Sequence, residues 1–151
     1  MNYAQDFSSQ IKAFAKKVQD KTDATLRVAA LDLTSRIINR TPVLTGRAKA
    51  NWQVTVNEVP TSSLVETDKD GSATMAKAAA ILGKAQYIQT VYVANNVNYI
   101  VGLEYGKSQK SPAGMVRVTV AEWSEIVAHA AEVTKRNPGG SLTATASVDG
   151  I

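Results

Sequence analysis

Residues 7–47 read FSSQIKAFAKKVQDKTDATLRVAALDLTSRIINRTPVLTGR, and this stretch decides the fold. Apolar or small residues fall at Phe7, Ile11, Phe14, Val18, Thr22, Leu26, Ala29, Leu33 and Ile37, in unbroken steps of three or four. That is the helical period held over about thirty residues, which at 1.5 Å per residue predicts a rod about 50 Å long. Asn2 or Asp6 is placed to cap its start, and it is expected to stop near Arg40, because Pro42 drives Thr41 out of the α region. The opposite face carries Lys12, Lys16, Gln19, Asp20, Asp23, Arg27 and Arg36 and reads as its solvated side. A helix of average length has about three turns, so this one outruns what a small core covers, and part of its apolar stripe is expected to meet another subunit.

Downstream the period changes. Trp52, Val54 and Val56 alternate with Gln53, Thr55 and Asn57, which predicts a half-buried strand from Asn51. Glu58 to Ser72 is polar, with Pro60 near its start, and reads as a long surface loop suited to an assembly contact. An alanine-rich helix is expected over Met75 to Ala85 and a second strand over Tyr87 to Ala94. Asn98 is placed to cap a brief helix through Tyr105 that stops at Gly106, and Lys107 to Lys110 forms a basic loop. Ser111-Pro112 fits a cap and first turn for a closing helix through Met115, Val118, Ile126, Ala130 and Val133; the alternation of Val116 to Val120 leaves open a start only near Ala121. After Asn137-Pro138-Gly139-Gly140 a polar tail, Ser141 to Ile151, is expected to serve as an arm added as a strand to a neighbouring subunit. The fold class is therefore α+β: a long N-terminal helix on a small, mainly antiparallel sheet with further helices. It divides into a single domain over 1–136 and an extended C-terminal arm over 137–151.

Composition narrows the function. A 151-residue chain with 44% hydrophobic residues suffices for one domain with a real core. It has no cysteine, so neither disulfides nor thiolate metal sites arise. Met1 to Asp6 lacks the basic start and apolar run of a signal peptide, and no stretch approaches a membrane span, which points to a chain kept in the cytoplasm or within a particle. Seventeen basic residues against thirteen acidic ones give a net charge of +4 without dense clusters, a mild pull towards nucleic acid.

Catalytic chemistry has little support. The one histidine, His129, sits between Ala128 and Ala130 with no triad partner at a defining spacing, and Gly71, Gly83 and Gly102 are isolated rather than part of a phosphate loop. Glu66-Thr67-Asp68-Lys69-Asp70-Gly71 superficially resembles the start of a calcium loop, but its twelfth position is Lys77, which repels a cation, so the segment reads as a solvated turn. No catalytic residue, cofactor or metal is assigned.

Two short motifs remain. In Thr41-Pro42-Val43-Leu44-Thr45-Gly46-Arg47, proline ends the helix, Thr45 is able to bond local backbone, Gly46 is free to take positive φ, and Arg47 projects from the corner. In Asn98-Tyr99-Ile100-Val101-Gly102-Leu103-Glu104-Tyr105-Gly106, Glu104 stands between apolar neighbours and is the expected carboxylate partner of Arg47. The alternative is that the two motifs are local caps that never touch.

The order of long helix, TPV-x-TG-R corner, strand near Trp52, NYI-x-x-LEYG segment and closing helix resembles the neck and tail-completion (head-tail joining) family of long-tailed double-stranded DNA bacteriophages, over residues 1 to about 135. The resemblance rests on Pro42, Val43, Thr45 and Gly46 and on Tyr99, Glu104, Tyr105 and Gly106; Ala48 and Met115 depart from the leucine and aromatic often found there. It implies a non-enzymatic virion protein that forms a ring, commonly sixfold, at the neck or tail and is assembled in the host cytoplasm. Its partners would be further copies of itself, the tail tube protein and the head-tail connector proteins, with genome DNA passing through the lumen unread and no membrane involved. The rival reading is a basic nucleic-acid-binding module with Lys107, Lys110, Arg117, Lys135 and Arg136 lining a groove, and a weaker one is a hydrolase built on His129.

Overall fold

The computed structural model describes residues 3–137. The long helix, α1, spans Tyr3–Arg40, 38 residues without a break. It ends where expected, at Arg40: the Thr41 N–H turns to the Ile38 carbonyl at 3.2 Å, and its hydroxyl donates to the Ile37 carbonyl at 2.7 Å. Of the two expected caps, Asn2 lies outside the described residues. Asp6 lies inside the first turn, accepting from the Gln10 amide, and is not a cap.

The remaining elements are short and pack along the C-terminal half of α1. They are α2 (Arg47–Ala50), β1 (Gln53–Val56), α3 (Ser72–Leu82), β2 (Val91–Ala94), α4 (Ile100–Glu104), α5 (Val116–Ala121) and α6 (Trp123–Arg136). The fold is mixed α+β. Its sheet is a single antiparallel pair with Gln53 opposite Ala94 and Val56 opposite Val91. The expected second strand loses its first four residues: Gln86 to Gln89 close a turn, with Gln89 N–H donating to the Gln86 carbonyl, and the Tyr87 N–H is held by Asp23. The turn and Asp23 thus take the Gln89 and Tyr87 N–H groups, while Thr90 bonds Asn57 through both its N–H and its carbonyl just beyond the ladder.

Three apolar clusters form the core. Ala30, Val54, Ala78 and Leu82 join α1, β1 and α3; Ile37, Ile38, Trp52 and Met115 lie at the corner; Ala29, Ile126 and Ala130 join α1 and α6. Glu122 meets Arg36 and Arg40 while Ile126 and Ala130 meet Ala29, so α6 runs antiparallel to α1.

Period alone misread part of the polar face of α1. Asp23 is buried, its Oδ1 accepting the Tyr87 N–H at 2.7 Å, and the Arg27 Nε donates to the Ala85 carbonyl at 2.8 Å. Arg36 pairs with Asp32 and Glu122. These residues anchor the 84–90 segment and α6, so they are not a solvated side.

The closing helix also differs. It is two helices, α5 and α6, meeting at Glu122, and Ser111 caps neither, since its hydroxyl donates to the Gly114 carbonyl within a turn. Val116 to Val120 is helical throughout. The brief α4 starts after Tyr99 rather than Asn98, without a side-chain cap. The expected C-terminal arm falls outside the described residues, apart from Asn137.

Candidate assembly interface

The corner motif is built as a joint between α1, β1 and the 57–71 loop. The buried Thr41 hydroxyl also accepts from the indole Nε1 of Trp52 at 2.8 Å, which locks the strand entry onto the helix exit. The Thr45 hydroxyl accepts from the Arg47 N–H at 3.2 Å. Gly46 has φ of 89°, and its carbonyl accepts from the Asp68 N–H at 3.0 Å. A Cβ on Gly46 would stand 2.8 to 2.9 Å from Asp68 backbone atoms, so glycine is required by both dihedral and space. Pro42 and Val43 are partly buried, and Leu44 is almost fully exposed.

The second motif is built around Glu104, and here the expected pairing with Arg47 is overturned. The Arg47 Nε donates instead to the Leu64 carbonyl at 3.3 Å. The Glu104 carboxylate caps α5: Oε2 accepts from the Met115 and Val116 N–H groups and Oε1 from the Arg117 N–H, all at 2.9 Å. Those are the unpaired donors of a helix start, and none of the residues flanking α5 supplies a side-chain cap. Arg117 completes the arrangement, its Nε donating to Oε1 at 3.2 Å and its guanidinium lying 4.6 Å from the Tyr105 ring centroid. Burial pushes the Glu104 carboxyl up, but the N–H groups of Arg117, Val116 and Met115 with the Arg117 guanidinium outweigh it and hold the group below the usual carboxylate range. Gly106 and Gly114 take φ of 86° and 88°, and a Cβ on Gly114 would meet the Glu104 carbonyl oxygen at 2.5 Å.

The two motifs do converge, through apolar packing. Trp52, bonded to Thr41, shares a cluster with Ile100 and Leu103, whose helix ends on Glu104. The link runs through Trp52, a residue of neither motif, which leaves the alternative of two local caps standing. Tyr99, Val101 and Tyr105 stay exposed on the outer side of this segment.

Sequence reasoning missed three further fixing residues. Asn51 is fully buried, its Oδ1 accepting from the Leu64 N–H at 2.6 Å and its Nδ2 donating to the Arg47 carbonyl at 2.8 Å. Asp68, set aside as part of a solvated turn, accepts from the Gly71 N–H and from both the N–H and hydroxyl of Thr74, and so holds the start of α3. Glu122 binds two arginines, with Arg40 at 2.6 Å and Arg36 at 2.8 Å, and hydrogen bonds from Arg40 and then Arg36 lower its carboxyl to about 2. An aspartate three residues before a glycine at a helix start was the available signal for Asp68; no local pattern marks the other two. Among the described residues every buried side-chain nitrogen or oxygen has a partner, and no group of three His, Asp or Glu is placed to hold a metal. His129 is exposed on α6.

All this fixing stops at the middle of α1. Residues 3–22 are exposed without exception, and on them Tyr3, Phe7, Ile11, Phe14 and Val18 fall on one face. Phe7 and Phe14 are 66% and 67% exposed, where an apolar contact is expected for a stripe of this period. No protein-family model matches this chain, and neither a curated protein nor a solved structure does.

Proposed function

We propose that this chain is a self-assembling structural protein, a ring-forming component of the neck of a long-tailed bacteriophage that completes the tail and joins it to the head connector. The observation that carries the self-assembly is the bare stripe from Tyr3 to Val18 on a helix that the rest of the fold holds rigidly from Asp23 onward. Soluble monomers rarely leave so long an apolar face uncovered, and a helix ridge of this kind is a ready subunit contact. The phage assignment rests on the order of the two motifs with their required glycines and on the resemblance they carry. Both motifs act here as structural joints, the role a rigid ring subunit needs.

The nucleic-acid reading draws less support. Arg117 is engaged by Glu104 and Tyr105, and Lys135 and Arg136 lie in the last turn of α6, at the far end of that helix from α5, which counts against a shared basic groove. The test is electron microscopy of phage particles carrying a tagged copy, alongside the mass of the purified protein in solution. A collar between head and tail supports the proposal. A monomer that binds duplex DNA with affinity falling steeply as salt rises contradicts it.

A further inference from the structure

The sheet stops at β2, along which β1 is the only packed element. The ladder fixes which backbone groups that leaves unused. The Asn57 N–H donates to the Thr90 carbonyl at 2.7 Å, and the pairing alternates from there, so Tyr92 and Ala94 turn their backbone towards β1 while Val91 and Val93 turn theirs away. Among the described residues nothing bonds the N–H or carbonyl of Val91 or Val93 on that outer side. An edge strand is normally blunted by charge, proline or a covering element, and Val91-Tyr92-Val93-Ala94 has none of these. It is an open template for one more strand.

We propose that this edge receives the C-terminal arm of a neighbouring copy, with Leu142 to Val148 added to β2 as an antiparallel strand. This rests on the self-assembly proposed above and names a second contact through which copies join. Three observations choose that occupant. The first is pattern: Leu142, Ala144, Ala146 and Val148 alternate with Thr143, Thr145 and Ser147, a period of two without charge or proline. Faces also match, since Val91 and Val93 lie against the core cluster of Ala30 and Leu82 and Tyr92 turns the other way. The apolar set of the arm then continues the core face, and its hydroxyls line up beside Tyr92. The third is reach. α6 packs on Ala29, whereas the sheet lies against Ala30 and Leu31, about 100° and 200° further round α1 at 3.6 residues per turn. From Asn137 to Leu142 the chain reaches about 17 Å. A path round α1 to its other side, at the roughly 8–10 Å that separates packed helices, is about 25 Å. A chain's own arm therefore falls short of its own β2, and a neighbour's arm meets no such barrier.

In this arrangement Val91 and Val93 exchange hydrogen bonds with apolar-face residues of the arm, Ala144 and Ala146 in the central register. Tyr92 then stands opposite a hydroxyl residue in a non-hydrogen-bonded pair, with Cα atoms about 4.5 Å apart, within disulfide distance. So few bonds do not hold copies together alone; the arm tightens an assembly that the stripe on α1 brings together. Because the chain has no cysteine, engineered thiols report this geometry without background. Full-length Tyr92→Cys is mixed with full-length Thr143→Cys, Thr145→Cys, Ser147→Cys or, on the opposite face, Ala144→Cys, under oxidised glutathione. Non-reducing electrophoresis is expected to show a disulfide between chains for at least one of the three hydroxyl positions, formed about tenfold faster than for Ala144→Cys. A full-length variant carrying Ala144→Pro with Ala146→Pro loses both donors and is expected to associate about tenfold more weakly in sedimentation velocity, with an unchanged thermal melt by circular dichroism. Equal cross-linking at Ala144→Cys, or a proline variant that associates like the wild type, overturns the proposal. A disulfide that forms only within single chains carrying both Tyr92→Cys and Thr145→Cys places the arm on its own copy and also overturns it. Association without any cross-link sinks this inference alone, whereas a wild type monomeric at about 100 µM and free of cross-links sinks the self-assembly reading with it. Cross-linking as described in a protein absent from phage necks sinks the neck reading alone.

Discussion

Glu104 shows how a single side chain holds distant parts of this fold. One carboxylate satisfies three N–H groups at the start of α5 and orients Arg117 over Tyr105. Glu104→Ala leaves those donors to solvent and is expected to cost about 2 kcal/mol in urea unfolding, with Glu104→Gln costing about half as much because one oxygen still accepts. Gly114→Ala places a methyl against the Glu104 carbonyl at positive φ and is expected to destabilise by about 1–3 kcal/mol in the same assay. Glu122 sets the acid behaviour. Its folded value of about 2 lies below its ordinary 4.5, so its contribution is fully present above pH 4.5 and is lost as pH falls towards 2. With the side chain a quarter exposed, solvent screening limits that loss to on the order of 1–2 kcal/mol, and Glu122→Gln is expected to flatten the melting temperature over that range. The motif residues themselves were legible in the sequence, since proline, glycine and threonine at a corner have separate mechanical tasks. The partners of Glu104 were not, because three of its four donors are the backbone N–H groups of Met115 to Arg117, which leave no mark in a residue pattern, and the fourth, the Arg117 side chain, is brought to it only by that capping.

The helix α1 is the element on which sequence and structure agree most closely, because a period sustained for more than eight turns is a strong signal and Pro42 marks its end. What covers each face was not legible. The apolar period is the same before and after Thr22, yet only the second half is packed, by α3 and α6. Asp23 and Arg27 look like solvated positions until the 84–90 segment folds back on them. The late start of the second strand has the same cause: the Tyr87 N–H is taken by Asp23 and the Gln89 N–H by the Gln86 carbonyl, and only Thr90, bonded to Asn57, continues towards the ladder. The difference between the halves of α1 is measurable. In dilute solution the amides of residues 5–20 are expected to exchange with deuterium far faster than those of 25–40, and to slow on self-association while the second half changes little.

For the whole molecule, Asp23 to Arg136 form a packed body from which the first half of α1 projects as a helical rib exposed along its whole length. In the proposed assembly the joints at Gly46 and Gly114 would matter, because a repeating array amplifies any change of angle between one copy and the next. Removing the stripe is therefore expected to leave the melting temperature of the monomer within about 1 °C while abolishing assembly, the opposite of the Glu104 variants. The most direct test is sedimentation velocity of the wild-type protein from 1 to 100 µM, with electron microscopy of the largest species. The account predicts a concentration-dependent shift to a closed oligomer of defined mass that Phe7→Asp with Phe14→Asp eliminates. A single monomeric boundary at every concentration would contradict it.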